Sequence, residues 1–591
     1  MPAFDGNDTD LRTARVRLLQ TTDLHMQIMP FDYNRLAPTQ TSSLAHLLAP
    51  IAALRNEGIP SVLVDTGDFL QGNALADAAI ASDGPHPMIT AFNDLGYDAV
   101  VLGNHDFDYG LSPLRTALAR LTCPVLAANV AASDGGALAV ATAIIPVRDQ
   151  EETIQVGLLG LTTTPPATAC NPANPPFVHF TDPLEVAQEN VDLLRSEGAD
   201  VVVALCHFGI DPDVSRENVA DKVALIDGVD AIFTGHTHDD FPGEGIAQSP
   251  GIDPNRGRLH GVPCVMSGVF GRAIGKIDVS LSNDGGGWRV TDATCEVVRP
   301  PAVAAPPTLK VAGLSKLHDA TLKVLRAPVT ETHVPLSTAF SMIAPDLGQL
   351  LLANARMDAI RTALVGTPYA AASIVGTAAP YQAGTKDDPN LFLNVQPGAL
   401  TKHDIQCIFP YKDPVIGLLQ SGEEVVAWLE ASARRFLPIK PGVHDQPLVD
   451  PAFAPYDFKT VFGLTYTIDP TCPFGARVKD IRFQGTPVAP DQHYVVATTP
   501  NHLRGQDLSK AKNVLCMTPQ TSQDILESYL RSNGPVRHAP PSAWRFASVP
   551  DTKAQFVSTS DADLALAPQG VIAGAMRGKG LQEFTYSFDV A

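Results

Sequence analysis

Five short apolar runs in the first 240 residues of the chain each lead into a residue that can hold a metal or move a proton. "RVRLLQTT" leads to Asp23 and His25, "SVLVDTG" to Asp68, and "AVVLG" to Asn104 and His105. "DVVVALC" leads to His207, and "DAIFTG" to His236 and His238. Runs of this length, rich in Val, Ile and Leu, read as buried strands. Between them lie stretches such as "SSLAHLLAPIAALRNEG" and "PLEVAQENVDLLRSEGAD", which read as amphipathic helices. Strands interleaved with helices predict a layered α/β core. In an open α/β sheet the carboxyl ends of the strands share one edge, where ligands bind. The pattern therefore predicts one site built from five strand ends.

The composition of that site narrows its occupant. It offers two Asp, one Asn carbonyl and four His, with His105 left over and no Cys. Imidazole mixed with carboxylate oxygen suits borderline divalent ions such as Mn²⁺, Zn²⁺, Co²⁺ or Fe²⁺. The set overfills the single tetrahedral shell of a structural ion. Two ions are implied, about 3.5–4 Å apart, with a carboxylate such as Asp68 able to bridge them. His105 sits beside Asn104 and can reach the site without being a ligand.

A chain of 591 residues is too long for one core, which predicts two large domains. The first is expected over residues 1–298. It closes with strands in "PCVMSGVFGRAIGKIDVSLS" and "WRVTDATCEVV", joined by the turn "NDGGG". Residues 299–327 hold the Pro-rich linker "RPPAVAAPP" and a connecting helix, and 328–591 form the second domain. The last forty residues show no clear pattern, and there is no internal repeat. A formal net charge of −21 argues against nucleic-acid polymers, whose affinity comes from Lys and Arg on phosphates. No apolar run is long enough to span a membrane. The opening residues lack a basic segment followed by an apolar one, so the chain as written is expected in the cytoplasm. The eight cysteines never form Cys-x-x-Cys and read as small buried hydrophobes. The expected working form is a monomer.

In the order "DLH", "GD", "GNHD", "CH" and "GHTH", the first domain resembles the calcineurin-like metallophosphoesterases. The whole chain is similar to the bacterial 5′-nucleotidase group. Within that group it most resembles the bifunctional 2′,3′-cyclic-nucleotide 2′-phosphodiesterase/3′-nucleotidase branch. "TTDLHMQIMPFDY", "GNHDFDYGL" and "GHTHDDFPG" carry this likeness, with "AAPYQAGTKDDP", "IFPYKDPV", "GEEVVAWLEASARRF" and "VVATTPNHLRG" in the second domain.

The resemblance implies a layered αββα metallophosphoesterase domain plus a second α/β domain of the 5′-nucleotidase type. It implies one ion held by Asp23, His25, Asp68 and His238, and another by Asp68, Asn104, His207 and His236. His105 becomes the general acid, oriented by Asp108, with Asp106 as the rival partner. Asp106 also reads as a helix N-cap. The implied reaction opens a 2′,3′-cyclic nucleotide to a 3′-phosphate, then releases phosphate and nucleoside. Similar enzymes stack the base between two aromatic rings. Tyr411 matches one ring, with Phe409 as the weaker candidate. In "TTPNHLRGQDL" the expected second aromatic is missing and only His502 is planar. Asp413 stands where the family usually has Asn. Relatives are exported to the periplasm, so this chain is expected there if a signal has been removed. A 5′-nucleotidase or nucleotide-sugar hydrolase would share the metal ligands. A non-catalytic nucleotide-binding protein would be expected to lack a ligand or His105.

Overall fold

Strand Arg12–Thr21 runs through a six-stranded sheet, and its two faces have different neighbours. Val16 and Leu18 point inward, into a core shared with a second sheet. Arg17 points the other way and is buried. Its Nη1 donates to Leu54 O at 2.8 Å, at the end of helix Leu44–Arg55, and its Nε donates to Asp278 at 2.7 Å. The period of two along a strand thus places one sheet between a helix and a second sheet.

The computed structural model describes residues 11–163, 177–211, 218–303, 308–386, 388–503, 511–538 and 543–589. The chain forms two compact units, residues 1–322 and 323–591. The boundary falls inside the connecting helix, Leu314–Leu325. Of the Pro-rich stretch, residues 304–307 lie outside the described residues. Among the described residues no helix is long and apolar enough to cross a membrane.

In the first unit the six-stranded sheet carries Arg12–Thr21, Ser61–Asp65 and Ala99–Val101 side by side and parallel. The second sheet carries Glu152–Thr162, Val201–His207 and Ala231–Phe233, also parallel. Val62, Val64 and Val101 of one sheet meet Leu158, Val203 and Leu205 of the other in one buried cluster. Helix Pro183–Ser196 packs on the outer face of the second sheet through Ala187, Val191 and Leu194. The layers are therefore helix, sheet, sheet, helix. This is the layered αββα arrangement that the resemblance implies: three of the five strand ends come from one sheet and two from the other. Stacking the sheets brings those ends together.

The second unit centres on a five-stranded sheet crossed by helix Leu347–Ala363, whose first turn is capped by Asp346. In its register Ile416 pairs with Thr498, and Gly376 with Ala497. That places the segments of Tyr381, Tyr411 and His502 at one end of the sheet. Residues 553–587, patternless in sequence, form a three-stranded antiparallel sheet. Its edge strand, Val571–Gly578, is exposed on both faces, so no apolar alternation marks it.

Candidate metal centre

Asp23, His25 and His238 come together as one group, and Asp68, His207 and His236 as another. Within each group, one ligand atom per residue lies within 4.8 Å of the others. Asp68 Oδ2 is 3.1 Å from His207 Nε2 and 3.8 Å from His25 Nε2, so it stands between the groups. Asn104 Oδ1 lies 3.1 Å from His207 Nε2, on the second side.

The imidazoles are aimed by their other nitrogens. His25 Nδ1 is 2.9 Å from Gln71 O, and His207 Nδ1 is 2.7 Å from Thr66 O. A carbonyl only accepts, so each Nδ1 carries a proton and each Nε2 is turned into the site, where a proton or a metal can take it. His25 Nε2 and His238 Nε2 face each other at 3.3 Å, an arrangement that calls for a cation or proton between them. Asp68 Oδ2 is buried and accepts no hydrogen bond among the described residues. His207 Nε2, 3.1 Å away, meets it only by carrying a proton or by sharing a cation with it. An ionised oxygen left this way costs about 1–3 kcal/mol unless something else meets it. The unmet oxygen, the converging imidazole nitrogens and the mixed donor set fit a pair of divalent ions.

The backbone is bent to hold these groups. Asp23, His25, Asp68, His236 and His238 all have positive φ, between 44° and 74°. Each non-glycine residue in that region costs on the order of 1 kcal/mol or more, and such strain gathers at functional sites. Gly103 allows the closest approach: a Cβ there would lie 2.1 Å from Asp68 Oδ1. Electrostatics point the same way. Burial would raise the Asp23 carboxyl, but His207 and His238 outweigh it and hold it at about 2. Burial opposes charge on His207, yet Asp68 and Asp23 lift it to about 10. Burial and the neighbouring His207 push His236 down to about 3. Two buried carboxylates thus make the centre attractive to positive charge.

His105 lies on the short turn His105–Phe107, just beyond strand Ala99–Val101. Its backbone N–H donates to Asp68 Oδ1 at 2.8 Å, and its Nδ1 is 2.9 Å from Asp108 Oδ2. Nε2 is then the nitrogen left for a ligand, and the side chain is 29% exposed. Burial would lower this imidazole, but Asp108 and Asp68 raise it to about 9.

Asp106 does something the sequence alone does not reveal. It caps no helix, since Asn104 precedes its own turn and Gly110 the next helix. Fully buried, it accepts the N–H groups of Asp68, Phe69, Leu70 and Gly103 at 2.9, 3.1, 2.9 and 2.8 Å. It ties the Asp68 loop to the His105 loop. Thr22 is a second supporting residue, donating to Asp23 Oδ2 at 2.6 Å. The signal for both was adjacency to a ligand motif.

In the second unit Tyr411 is 38% exposed, with Tyr381 and Phe409 as ring neighbours at 5.7 Å each. Phe409 is fully buried beneath the Arg356 guanidinium, which removes it as a stacking face. His502 lies flat on Trp428, with ring centroids 3.5 Å apart and planes 15° apart. Burial and Lys459 push this imidazole down to about 4, so it is neutral near neutral pH. The structure thus gathers the seven residues expected to hold metal, with His105 and Asp108 beside them. Tyr411 and His502 belong to the other unit, each beside its own ring partners.

Residues 16–240 match the calcineurin-like phosphoesterases, and residues 334–511 match the 5′-nucleotidase C-terminal domain. A 2′,3′-cyclic-nucleotide 2′-phosphodiesterase/3′-nucleotidase of Salmonella typhimurium is 31% identical, over 91% of this chain and 89% of its own length. A protein of the same description from Yersinia enterocolitica is 30% identical, over 93% and 90%. A solved Staphylococcus aureus structure in complex with alpha-ketoglutarate has a TM-score of 0.72 at 21% identity. It covers 90% of this chain and 100% of its own, and the likeness is one of fold. Fold and site together define a metal-dependent phosphoric ester hydrolase. The chain belongs to the calcineurin-like phosphoesterases that carry a 5′-nucleotidase C-terminal domain.

Proposed function

We propose that the protein opens 2′,3′-cyclic nucleotides to 3′-nucleotides and then hydrolyses these to nucleoside and phosphate. The observation that carries the reading is the His105–Asp108 pair, held beside the bridging position of Asp68. The choice of substrate is supported by the relatives that bear this description at about 30% identity. Two divalent ions, among Mn, Zn, Co and Fe, would sit on Asp23, His25, Asp68 and His238 and on Asp68, Asn104, His207 and His236, polarising the phosphoryl group and activating water.

The side chains divide the remaining work. His105 Nε2 gives a proton to the departing ribose oxygen, while Asp108 holds the ring through Nδ1. The first step breaks the bond from phosphorus to O2′ and the second breaks the bond to O3′, so one acid can serve both. Tyr411 offers a face to the base, and His502, backed by Trp428, offers a second flat surface. The partner is a small nucleotide, and the strongly acidic chain disfavours polymers. The working form is a monomer.

Phosphate release from 2′,3′-cyclic AMP, 3′-AMP and 5′-AMP tests the reading. The protein is stripped with EDTA and assayed with and without Mn²⁺, with alkaline phosphatase coupled to reveal ring-opened product. Restored activity on the cyclic ester and 3′-AMP, with little on 5′-AMP, is the expected result. Preference for 5′-AMP would keep the metal centre and overturn the substrate. No turnover with any divalent metal would overturn the catalytic role itself.

A further inference from the structure

Away from the metal centre, three reactive side chains meet on the second unit. Lys479 Nζ donates to Asp469 Oδ2 at 2.7 Å and to Cys472 Sγ at 3.1 Å, and Sγ donates to the same Oδ2 at 3.4 Å. The geometry is fixed from several sides. Thr471 donates to Asp469 Oδ1 through Oγ1 at 2.6 Å and through its N–H at 3.0 Å. Arg477, buried between the partners in sequence, donates to Cys472 O at 3.0 Å and to Ala433 O at 3.1 Å. Lys479 sits on strand Val478–Phe483, where its backbone pairs with Thr467 of the preceding strand.

The thiol is also reachable. Cys472 is only partly buried and Lys479 is 46% exposed. The other described cysteines differ. Cys206, Cys264 and Cys407 are buried. Burial pushes the thiols of Cys123 and Cys295 up to about 12 and about 11, and raises that of Cys516. Cys472 Sγ meets both a donor ammonium and an acceptor carboxylate, so sulfur, amine and a proton acceptor already stand in contact.

We propose that Cys472 and Lys479 form a redox-responsive pair that cross-links covalently when the thiol meets a hydroperoxide. The Sγ proton passes to Asp469 as sulfur attacks the peroxide oxygen. The O–O bond breaks, and the departing hydroxide takes that proton back from Asp469 and leaves as water, giving a sulfenic acid. Lys479, 46% exposed, then gives one proton of its ammonium to solvent. The freed Nζ lone pair attacks sulfur, the S–O bond breaks, and the leaving hydroxide takes a second Nζ proton to become water. One thiol, one amine and one peroxide yield one S–N bond and two waters. The bond staples the turn that anchors Arg477 to the end of helix Gly422–Ala433, and a thiol reductant reopens it.

The test treats the full chain with hydrogen peroxide and maps its tryptic peptides by mass. Cleavage after Arg477 separates Cys472 from Lys479 unless they are linked. The expected product joins those two peptides with a loss of about 2 Da, and dithiothreitol reverses it. Lys479→Arg keeps the charge and is expected to give no joined peptide, leaving Cys472 to oxidise further. Over-oxidised or unreacted Cys472 in the unmodified chain, with no link, overturns the proposal whether or not the variant folds. So does an unchanged product in the arginine variant.

Discussion

The Asp106 carboxylate accepts the backbone N–H of Asp68 at 2.9 Å, joining two loops that arise from neighbouring strands. Asp106 fixes the peptide from which the Asp68 side chain projects. Asp106→Asn puts an amide N–H₂ among four N–H donors and leaves at least one of them facing a donor. The loop should relax and the Asp68 carboxylate lose its aim. The expected result is metal affinity weaker by about 10- to 100-fold, with activity recovering at high metal. Titration of stripped protein with Mn²⁺ against a competing chelator dye measures this. Unchanged affinity would reduce Asp106 to a core residue.

His105→Asn should lower kcat by about 10²- to 10⁴-fold while leaving metal content intact. The role assigned to the imidazole is protonation of the leaving oxygen, so the loss must depend on the leaving group. p-Nitrophenolate leaves phosphorus without needing a proton, so hydrolysis of p-nitrophenyl phosphate should lose far less than that of 3′-AMP. Asp108→Asn removes the acceptor at Nδ1, 2.9 Å away, and should give a smaller loss of the same pattern. Equal losses on both substrates would mean that His105 holds the phosphoryl group and gives it no proton.

The residues that gather at the candidate metal centre could be read because each follows a local signal: a short Val- and Leu-rich strand with a polar residue just beyond it. His207 follows Val201–Cys206, all buried, and Asn104 follows Ala99–Val101. Nothing local says that these strands belong to different sheets, because each is apolar on both faces whichever sheet it joins. The role of Asp106 was hidden for a related reason. Its donors include Asp68, 38 residues earlier, and only folding brings them within reach. The stack of His502 on Trp428 is equally non-local.

Tyr411→Ala tests the second unit. If Tyr411 stacks on the base, its loss should cost about 1–3 kcal/mol of binding, a rise in KM of about 5- to 150-fold with kcat little changed. A phosphodiester without a base, such as bis(p-nitrophenyl) phosphate, should be unaffected. His502→Ala exposes the Trp428 ring on which His502 lies, so a larger aromatic surface replaces the imidazole. The expected effect on KM is therefore smaller than for Tyr411. A larger effect would mean that the imidazole nitrogen itself contacts the nucleotide.

His86 sets a limit on acid stability in the first unit. It is 5% exposed, precedes helix Pro87–Leu95 without capping it, and neither ring nitrogen has a hydrogen-bond partner among the described residues. Burial lowers it from 6.5 to about 4. The sign follows from linkage: between those values the unfolded chain binds the proton and the folded chain resists it. Stability is therefore lost as pH falls from about 6.5 to about 4, by on the order of 3 kcal/mol in total. Below that window both states are protonated and this group adds no further loss. His86→Leu removes both the titration and the unmet polar atoms in a site of similar volume. Urea midpoints near pH 7 and near pH 5 give the comparison, and the native chain should lose about 2 kcal/mol more than the variant between them. Equal losses would mean that the imidazole charges freely where it lies, and that the acid sensitivity resides in other groups.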